Sequence, residues 1–296
     1  MRAIVTLVTL ASIELTGARI VPAAELVRVA TTAHAVYYAA RPQDVDVRRS
    51  EAFLERLDRL FGAAPVGWRL SYYRHLWPED VQAGSGLAFP VSGVTDMRTG
   101  RIDSVRPYHP HELVHAATGR IGRPPLFFAE GLAVALTGEG RWHGRETDSI
   151  ASAFLERGGD MMRVLQEFAL EDPERDYALA GSFVAFLLDR FGVDAMMVFL
   201  RASDQQAFCC ERALRSAFGD GFTGLVEEWR RSLNAGAPAR RAWYDSATWP
   251  QSLRRSAAAK ASAAVEPTGP GLAAHAPSLP TGLAAEAQAR PRAGDR

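Results

Sequence analysis

The chain contains little cysteine and no long apolar run. It has two cysteines among 296 residues, Cys209 and Cys210. Neighbouring cysteines close a ring too small for an unstrained mutual disulfide, and this pair lacks zinc-ligand spacing, so we expect buried thiols. The apolar run at residues 3–11 is too short for a transmembrane helix. These absences argue against a disulfide scaffold and against a membrane-spanning protein.

The chain also lacks an excess of charge of either sign. It has 34 Lys and Arg residues against 34 Asp and Glu residues, which gives a formal net charge of +0. Bulk charge therefore gives no support to a nucleic-acid or anionic-membrane partner. Hydrophobic residues make up 47% of the chain, which suits a globular core of about 200 residues.

Composition divides the chain into three parts. Residues 1–24 are predicted to be an export signal, because the apolar run precedes Val21-Pro22-Ala23; the alternative is a strand of the fold in a cytoplasmic protein. Residues 25–235 are predicted to form the folded domain. Residues 236–296 are dominated by Ala, Pro, Gly and Arg and have no aromatic residue from Gln251 onward, so we expect a disordered extension.

The first half of the domain, residues 25–108, is predicted to form a small mixed or antiparallel sheet. β-branched and aromatic residues concentrate in short segments that turn residues separate. A helix of 3.6-residue period interrupts these segments, with Ser50 as its expected N-cap and Gly62 at its end. The expected strands or extended segments are residues 26–32, 35–38, 68–73, 86–91, 93–96 and 101–105.

The second half, residues 109–235, is predicted to be mainly helical, so the fold class is α+β. Asp160 is an expected N-cap, and residues 136–144 are predicted to be a polar loop that borders the cleft. Further helices are expected at residues 126–136, 179–190, 195–201, 211–218 and 224–233.

The pentapeptide His111-Glu112-Leu113-Val114-His115 carries the strongest functional signal. On an α-helix, residues i and i+4 share one face, so His111 and His115 can bind one metal ion. Glu112 follows the first histidine, where its carboxylate can act on a water molecule without ligating the metal. The alternative is a chance occurrence of the motif on an amphipathic surface helix.

Glu130 is the expected third ligand. Gly119 is a plausible end of the first helix, and Pro124-Pro125 suit the start of a second, antiparallel helix whose second turn contains Glu130. A catalytic zinc site has three protein ligands and one open position. His109 precedes the motif across a proline, so we expect it in the loop and not on the ligand face.

Three segments, HELVH, FFAEGLA and YALAGSF, together resemble the gluzincin-type zinc metallopeptidases. The compact peptidase MA-like proteins of bacteria, with HELxH, a short loop and EGLA, are the most similar. The resemblance covers residues from about 26 to 233. Thr118 and Ile121 stand where a metzincin has a glycine and a third histidine, so that family is not indicated.

The resemblance implies a zincin-like fold with one Zn²⁺ held by His111, His115 and Glu130. It implies that Glu112 activates the attacking water and that Tyr177 donates its hydroxyl to the oxyanion. It also implies that an edge strand, which we place near residues 93–96, holds an extended peptide.

The function that this resemblance implies is hydrolysis of peptide or protein substrates by a zinc metallopeptidase. The chain has no GxMEN-type segment to hold a free amino terminus, so aminopeptidase activity is not supported. The sequence does not fix endo- versus exopeptidase action, and endopeptidase action is the default expectation. Val134 stands where thermolysin-like enzymes carry an aspartate that supports a histidine ligand. The alternatives are an inactive zinc-binding or peptide-binding protein of the same fold, and a cell-envelope interaction module without metal.

Overall fold

The computed structural model describes residues 25–203, residues 210–235 and the pair Ala284–Ala285. The predicted export signal, Cys209 and most of the predicted extension lie outside the described residues. The strands are β1 Val27–Thr31, β2 Ala35–Ala39, β3 Leu70–Arg74, β4 Gly93–Asp96, β5 Arg101–Ser104, β6 Arg141–Trp142, β7 Arg145–Glu146 and β8 Ala284–Ala285. The helices are α1 Val47–Phe61, α2 Pro78–Ser85, α3 Pro110–Gly119, α4 Leu126–Thr137, α5 Thr147–Glu156, α6 Met161–Gln166, α7 Pro173–Ala202, α8 Cys210–Phe218 and α9 Phe222–Asn234.

The main sheet is mixed and has the strand order β1-β2-β3-β5-β4-β8. β2, β3 and β5 are parallel neighbours, whereas β1, β4 and β8 pair antiparallel. The parallel pairs require crossover connections, and α1 lies in the first of them, between β2 and β3. The α+β class and the small mixed sheet in the first half are therefore confirmed.

Local elements differ from the sequence-based predictions in three places. Ser50 does not cap α1: the helix begins earlier, Asp46 accepts a hydrogen bond from the Arg49 amide, and the Ser50 hydroxyl donates to the Asp46 carbonyl. Helix α2, with proline in its first turn, was not predicted, and no strand forms at residues 86–91. The predicted polar loop at residues 136–144 contributes β6 to the β6–β7 hairpin.

Helices α4 and α7 pack closely because small residues stand where their backbones meet. A Cβ atom on Gly131 would lie 2.5 Å from the carbonyl oxygen of Ala180, and one on Gly181 would lie 2.3 Å from the side chain of Val134. Neither position has room for a larger residue without a shift of a helix. The close approach brings Glu130 of α4 and Tyr177 of α7 into the same region of the molecule.

The helical half holds most of the aromatic core. Phe127 and Phe128 of α4 pack against Phe183 of α7 and Phe222 of α9 with ring centroids 5.9 to 6.3 Å apart. α7 spans the two predicted helices at residues 179–190 and 195–201, and its backbone is non-helical at Gly192 between them, with φ 83°. In the described ranges, no helix combines the length and the apolarity needed to cross a bilayer.

Candidate metal centre

Helix α3 presents the two histidines of the HExxH motif. Pro110 occupies its first turn, and His109 before it has a non-helical backbone, with φ −130° and ψ 81°, since a proline disfavours the helical conformation of the residue before it. Every residue from His111 to Thr118 is buried, because α3 packs against α1 on one side and against α4, β4 and β5 on others. His111 and His115 are one helical turn apart, with ring centroids separated by 4.8 Å.

Glu130 completes a group of three metal-capable side chains. Its Oε2 atom lies 2.8 Å from His111 Nε2 and 3.2 Å from His115 Nε2. One potential ligand atom from each of the three residues lies within 4.8 Å of the other two, and all three side chains are buried. The group could hold a metal ion, since two imidazole nitrogens and one carboxylate oxygen converge on a single point.

Glu112 is held beside this group by β4. The Thr95 hydroxyl donates a hydrogen bond to Glu112 Oε2 at 2.7 Å and lies 3.1 Å from the Glu112 carbonyl oxygen. Glu112 is 0% exposed, and its second oxygen, Oε1, has no hydrogen-bond partner among the described residues. Burying a carboxylate oxygen without a hydrogen bond costs free energy. Oε1 of Glu112 therefore requires a hydrogen-bond donor, and none of the described protein groups supplies one.

The environments of the two glutamates push their pKa values apart. Burial raises the pKa of Glu112 to about 7, although His115, His111 and the Thr95 hydrogen bond oppose the rise. Burial also acts to raise the pKa of Glu130. The charges of His115 and His111, and the hydrogen bonds that these residues form with Glu130, outweigh this effect and lower the pKa to about 2. Glu130 is thus ionised at neutral pH, whereas Glu112 is poised to take up or release a proton.

Tyr177 lies in the first turns of α7 and next to the histidines. Its ring centroid is 6.3 Å from that of His111, 4.8 Å from that of Trp142 and 5.3 Å from that of Phe168. Asp176 supports this start of the helix by accepting a hydrogen bond from the Ala169 amide at 3.1 Å. The structure therefore brings together His111, Glu112, His115, Glu130 and Tyr177, all of which the sequence singled out.

Two residues of this region were missed by the sequence analysis. Thr95 contacts Glu112, and Trp142 stacks on Tyr177 with its buried indole Nε1 lacking a hydrogen-bond partner among the described residues. The family resemblance implied a peptide-binding edge strand near residue 95, but nothing in the sequence indicated a contact with Glu112. Trp142 stood in the predicted polar loop, where a lone aromatic residue gave the only signal.

Other polar residues of the region face elsewhere. His143 is paired with Glu174 at 2.9 Å, and Arg141 with Glu146 at 3.5 Å, both at the surface. His109 is outside the metal-capable group, but it is fully buried, and its Nδ1 shares a hydrogen bond with the Ser104 hydroxyl at 2.9 Å. Val134 packs against Trp142, Tyr177 and Ala178 in a small apolar cluster.

Comparison of the sequence with protein-family models and with curated proteins found no match.

Proposed function

We propose that this protein is a zinc-dependent metallopeptidase. The observation that carries the proposal is the convergence of His111, His115 and Glu130 beside a fourth side chain, Glu112, whose buried Oε1 has no partner in the part of the chain that the structure describes. Two imidazoles and one carboxylate form a set that catalytic zinc sites use, and such a set leaves a position open. The unpartnered oxygen fits the task of binding a water molecule.

Each residue of the site has a part in the proposed reaction. A bound zinc ion would polarise the scissile carbonyl and make a nearby water molecule more acidic. Glu112 accepts the proton of the attacking water through Oε1 and passes it to the leaving amine. Thr95 holds the other oxygen of Glu112 and so keeps the carboxylate oriented. Tyr177 donates its hydroxyl to the oxyanion, and Trp142 stacks on its ring and restricts its movement.

The test is cleavage of a mixed peptide library by zinc-loaded protein, read by mass spectrometry, with Glu112→Gln as the matched variant. Glutamine keeps the shape of the side chain but cannot take up the proton. We expect cleavage by the native protein and a rate about 10²- to 10⁴-fold lower in Glu112→Gln. Zinc content, measured in parallel by mass spectrometry of the metal, should be one ion per chain in both proteins.

Two other outcomes would point to other functions. One zinc per chain with no cleavage would indicate a zinc-bearing protein that binds peptides without turnover. No retained metal in the native protein would contradict the proposal and favour an interaction module of the same fold. Cleavage of equal rate in the two proteins would show that Glu112 is not the general base.

A further inference from the structure

The sheet edge next to the metal-capable group is covered by a distant segment of the same chain. β8, Ala284–Ala285, pairs antiparallel with β4 in the register Val94↔Ala285 and Thr95↔Ala284. On its other side β4 pairs with β5. Within residues 25–203 and 210–235, no strand takes this outer side of β4, so β4 is the edge of the sheet that the folded domain itself builds.

This edge lies directly beside the proposed catalytic residues. Thr95, which pairs with Ala284, donates a hydrogen bond to the carboxylate of Glu112. β8 also contacts α4, the helix that carries Glu130. β8 therefore contacts both the strand that holds Glu112 and the helix that carries Glu130.

An exposed strand edge is a site at which any extended peptide can add, because the main-chain donors and acceptors do not depend on side chains. A peptide bound in this way along β4 would pass Glu112 and the metal-capable group. β8 uses the same outer main-chain groups of Val94 and Thr95. A substrate peptide and β8 therefore cannot pair with β4 at the same time.

We propose that β8, Ala284–Ala285, is an intramolecular competitor that occupies the peptide-binding edge of β4. The statement that β8 competes with a substrate rests on the proposed peptidase function. The statement that β8 competes with any extended peptide for β4 does not depend on catalysis.

The long connection to β8 and the few residue pairs that β8 forms with β4 make this competition reversible. Roughly 50 residues join Ala235 to Ala284, which is far more chain than is needed to span one domain. Tethering gives β8 an effective concentration of up to about millimolar, so it competes with dilute peptides through the two residue pairs that the structure describes. A peptide with a longer paired stretch displaces it.

The test uses the full chain with prolines in the segment. In Ala284→Pro/Ala285→Pro, proline removes main-chain donors and is not tolerated in a paired strand. The chain supplies a matched control, because the tetrapeptide Gly-Leu-Ala-Ala occurs at residues 271–274 as well as 282–285. Ala273→Pro/Ala274→Pro introduces the same two prolines into the same local sequence outside β8.

The first measurement is hydrogen exchange of the amides in residues 93–96. We expect faster exchange in Ala284→Pro/Ala285→Pro than in the native chain, and native exchange in Ala273→Pro/Ala274→Pro. The protection should be the same over a tenfold dilution of the protein. Equal protection in all three proteins, or protection that falls on dilution, would contradict an intramolecular competitor.

The second measurement is binding of a fluorescent synthetic peptide with the sequence of residues 280–288, followed by anisotropy. All proteins carry Glu112→Gln here, so that no result depends on turnover. We expect at least about fivefold tighter binding to the Ala284→Pro/Ala285→Pro chain than to the native or control chains, since the tethered competitor is removed. Equal affinity of the peptide for all three chains would overturn the proposal that β8 is a competitor. If the proline variant binds the peptide more tightly but the chain with Glu112 intact never cleaves peptides, the competitor proposal stands and the peptidase function is rejected.

Discussion

Asp103 and Glu130 are both buried carboxylates that contact histidine, but their surroundings differ in one respect. Asp103 binds His75 at 2.8 Å and also pairs with Arg101 through both oxygens, at 2.7 and 2.9 Å. Glu130 contacts His111 and His115 and, in the part of the chain that the structure describes, pairs with no arginine or lysine.

The Asp103 cluster is an ion pair whose negative charge is balanced by Arg101, whereas the Glu130 cluster has no such cation among the described residues. The Asp103 cluster contains its own permanent positive charge, and Arg101 lies 4.3 Å above the ring of Tyr73. The Glu130 cluster has a second buried carboxylate, Glu112, with an oxygen lacking a partner. Buried carboxylates are stabilised by pairing or by metal coordination. Histidine next to a carboxylate is therefore not a sufficient sign of a metal site; the absence of an arginine partner distinguishes the two clusters.

The largest expected effect is on metal binding. His115→Ala removes one of three ligands, and we expect zinc affinity to fall by about 100-fold or more, at least as much as the loss of a supporting residue costs. His75→Ala, in the Asp103 cluster, should keep native affinity. Competition with a chelator of known affinity measures both. An equal loss in the two variants would remove the distinction between the clusters.

A second test concerns the two stacked tyrosines. Tyr177 lies beside the histidines, whereas Tyr73 stacks on Tyr38 at 4.5 Å near the Asp103 cluster. Tyr177→Phe should lower kcat by about 10²-fold, because a hydrogen bond to the oxyanion is lost, with KM and zinc content unchanged. Tyr73→Phe is the matched control and should leave kcat unchanged. A change in KM alone in Tyr177→Phe would assign the residue to substrate binding.

A third test changes the ion pair itself. Asp103→Asn removes the charge that accepts bonds from His75 and Arg101, and we expect a loss of about 2 kcal/mol in the free energy of unfolding at neutral pH. Zinc affinity should not change. Urea denaturation, with metal present and absent, measures the first quantity. A fall in zinc affinity comparable to that of His115→Ala would mean that the two clusters are coupled.

The smallest expected effect is on the stability of Asp103→Asn at acid pH. Burial acts to raise the pKa of Asp103, but the hydrogen bonds from His75 and Arg101 and their charges lower it. A carboxyl group whose folded pKa is below its unfolded value of about 3.9 stabilises the protein above that pH, and the contribution is lost as pH falls through the folded value. The difference in unfolding free energy between native protein and Asp103→Asn should therefore shrink below about pH 4. A constant difference would contradict the ion pair.

Much of the candidate site could be predicted because its parts are local. The i, i+4 spacing of His111 and His115 needs only one turn of helix, and α4 was expected at residues 126–136 where the structure has Leu126–Thr137. Strands β1, β2, β3 and β5 were predicted to within a few residues from short segments of strand-forming composition. Asp160 caps α6, as expected, by accepting hydrogen bonds from two backbone amides.

Local competition explains the wrong N-cap of α1. Ser50 was the expected cap, but Asp46, four residues earlier, also has a side chain that favours N-caps, and the structure uses Asp46. The additional turn at Val47 is possible because Asp46 is held in place, with its amide bonded to the carbonyl of Pro107 at 2.9 Å. That contact joins residues far apart in sequence.

The sequence by itself determined the helical ligand spacing and the α+β division, because the first depends on residues within two helical turns and the second on average composition. The third carboxylate was expected because only a short connection separates α3 from α4. Only the tertiary structure placed Thr95 against Glu112, Trp142 against Tyr177 and Ala284–Ala285 along β4. These contacts join residues that are from 17 to about 190 positions apart in the sequence. They depend on how strands and helices pack, and no short-range periodicity encodes that.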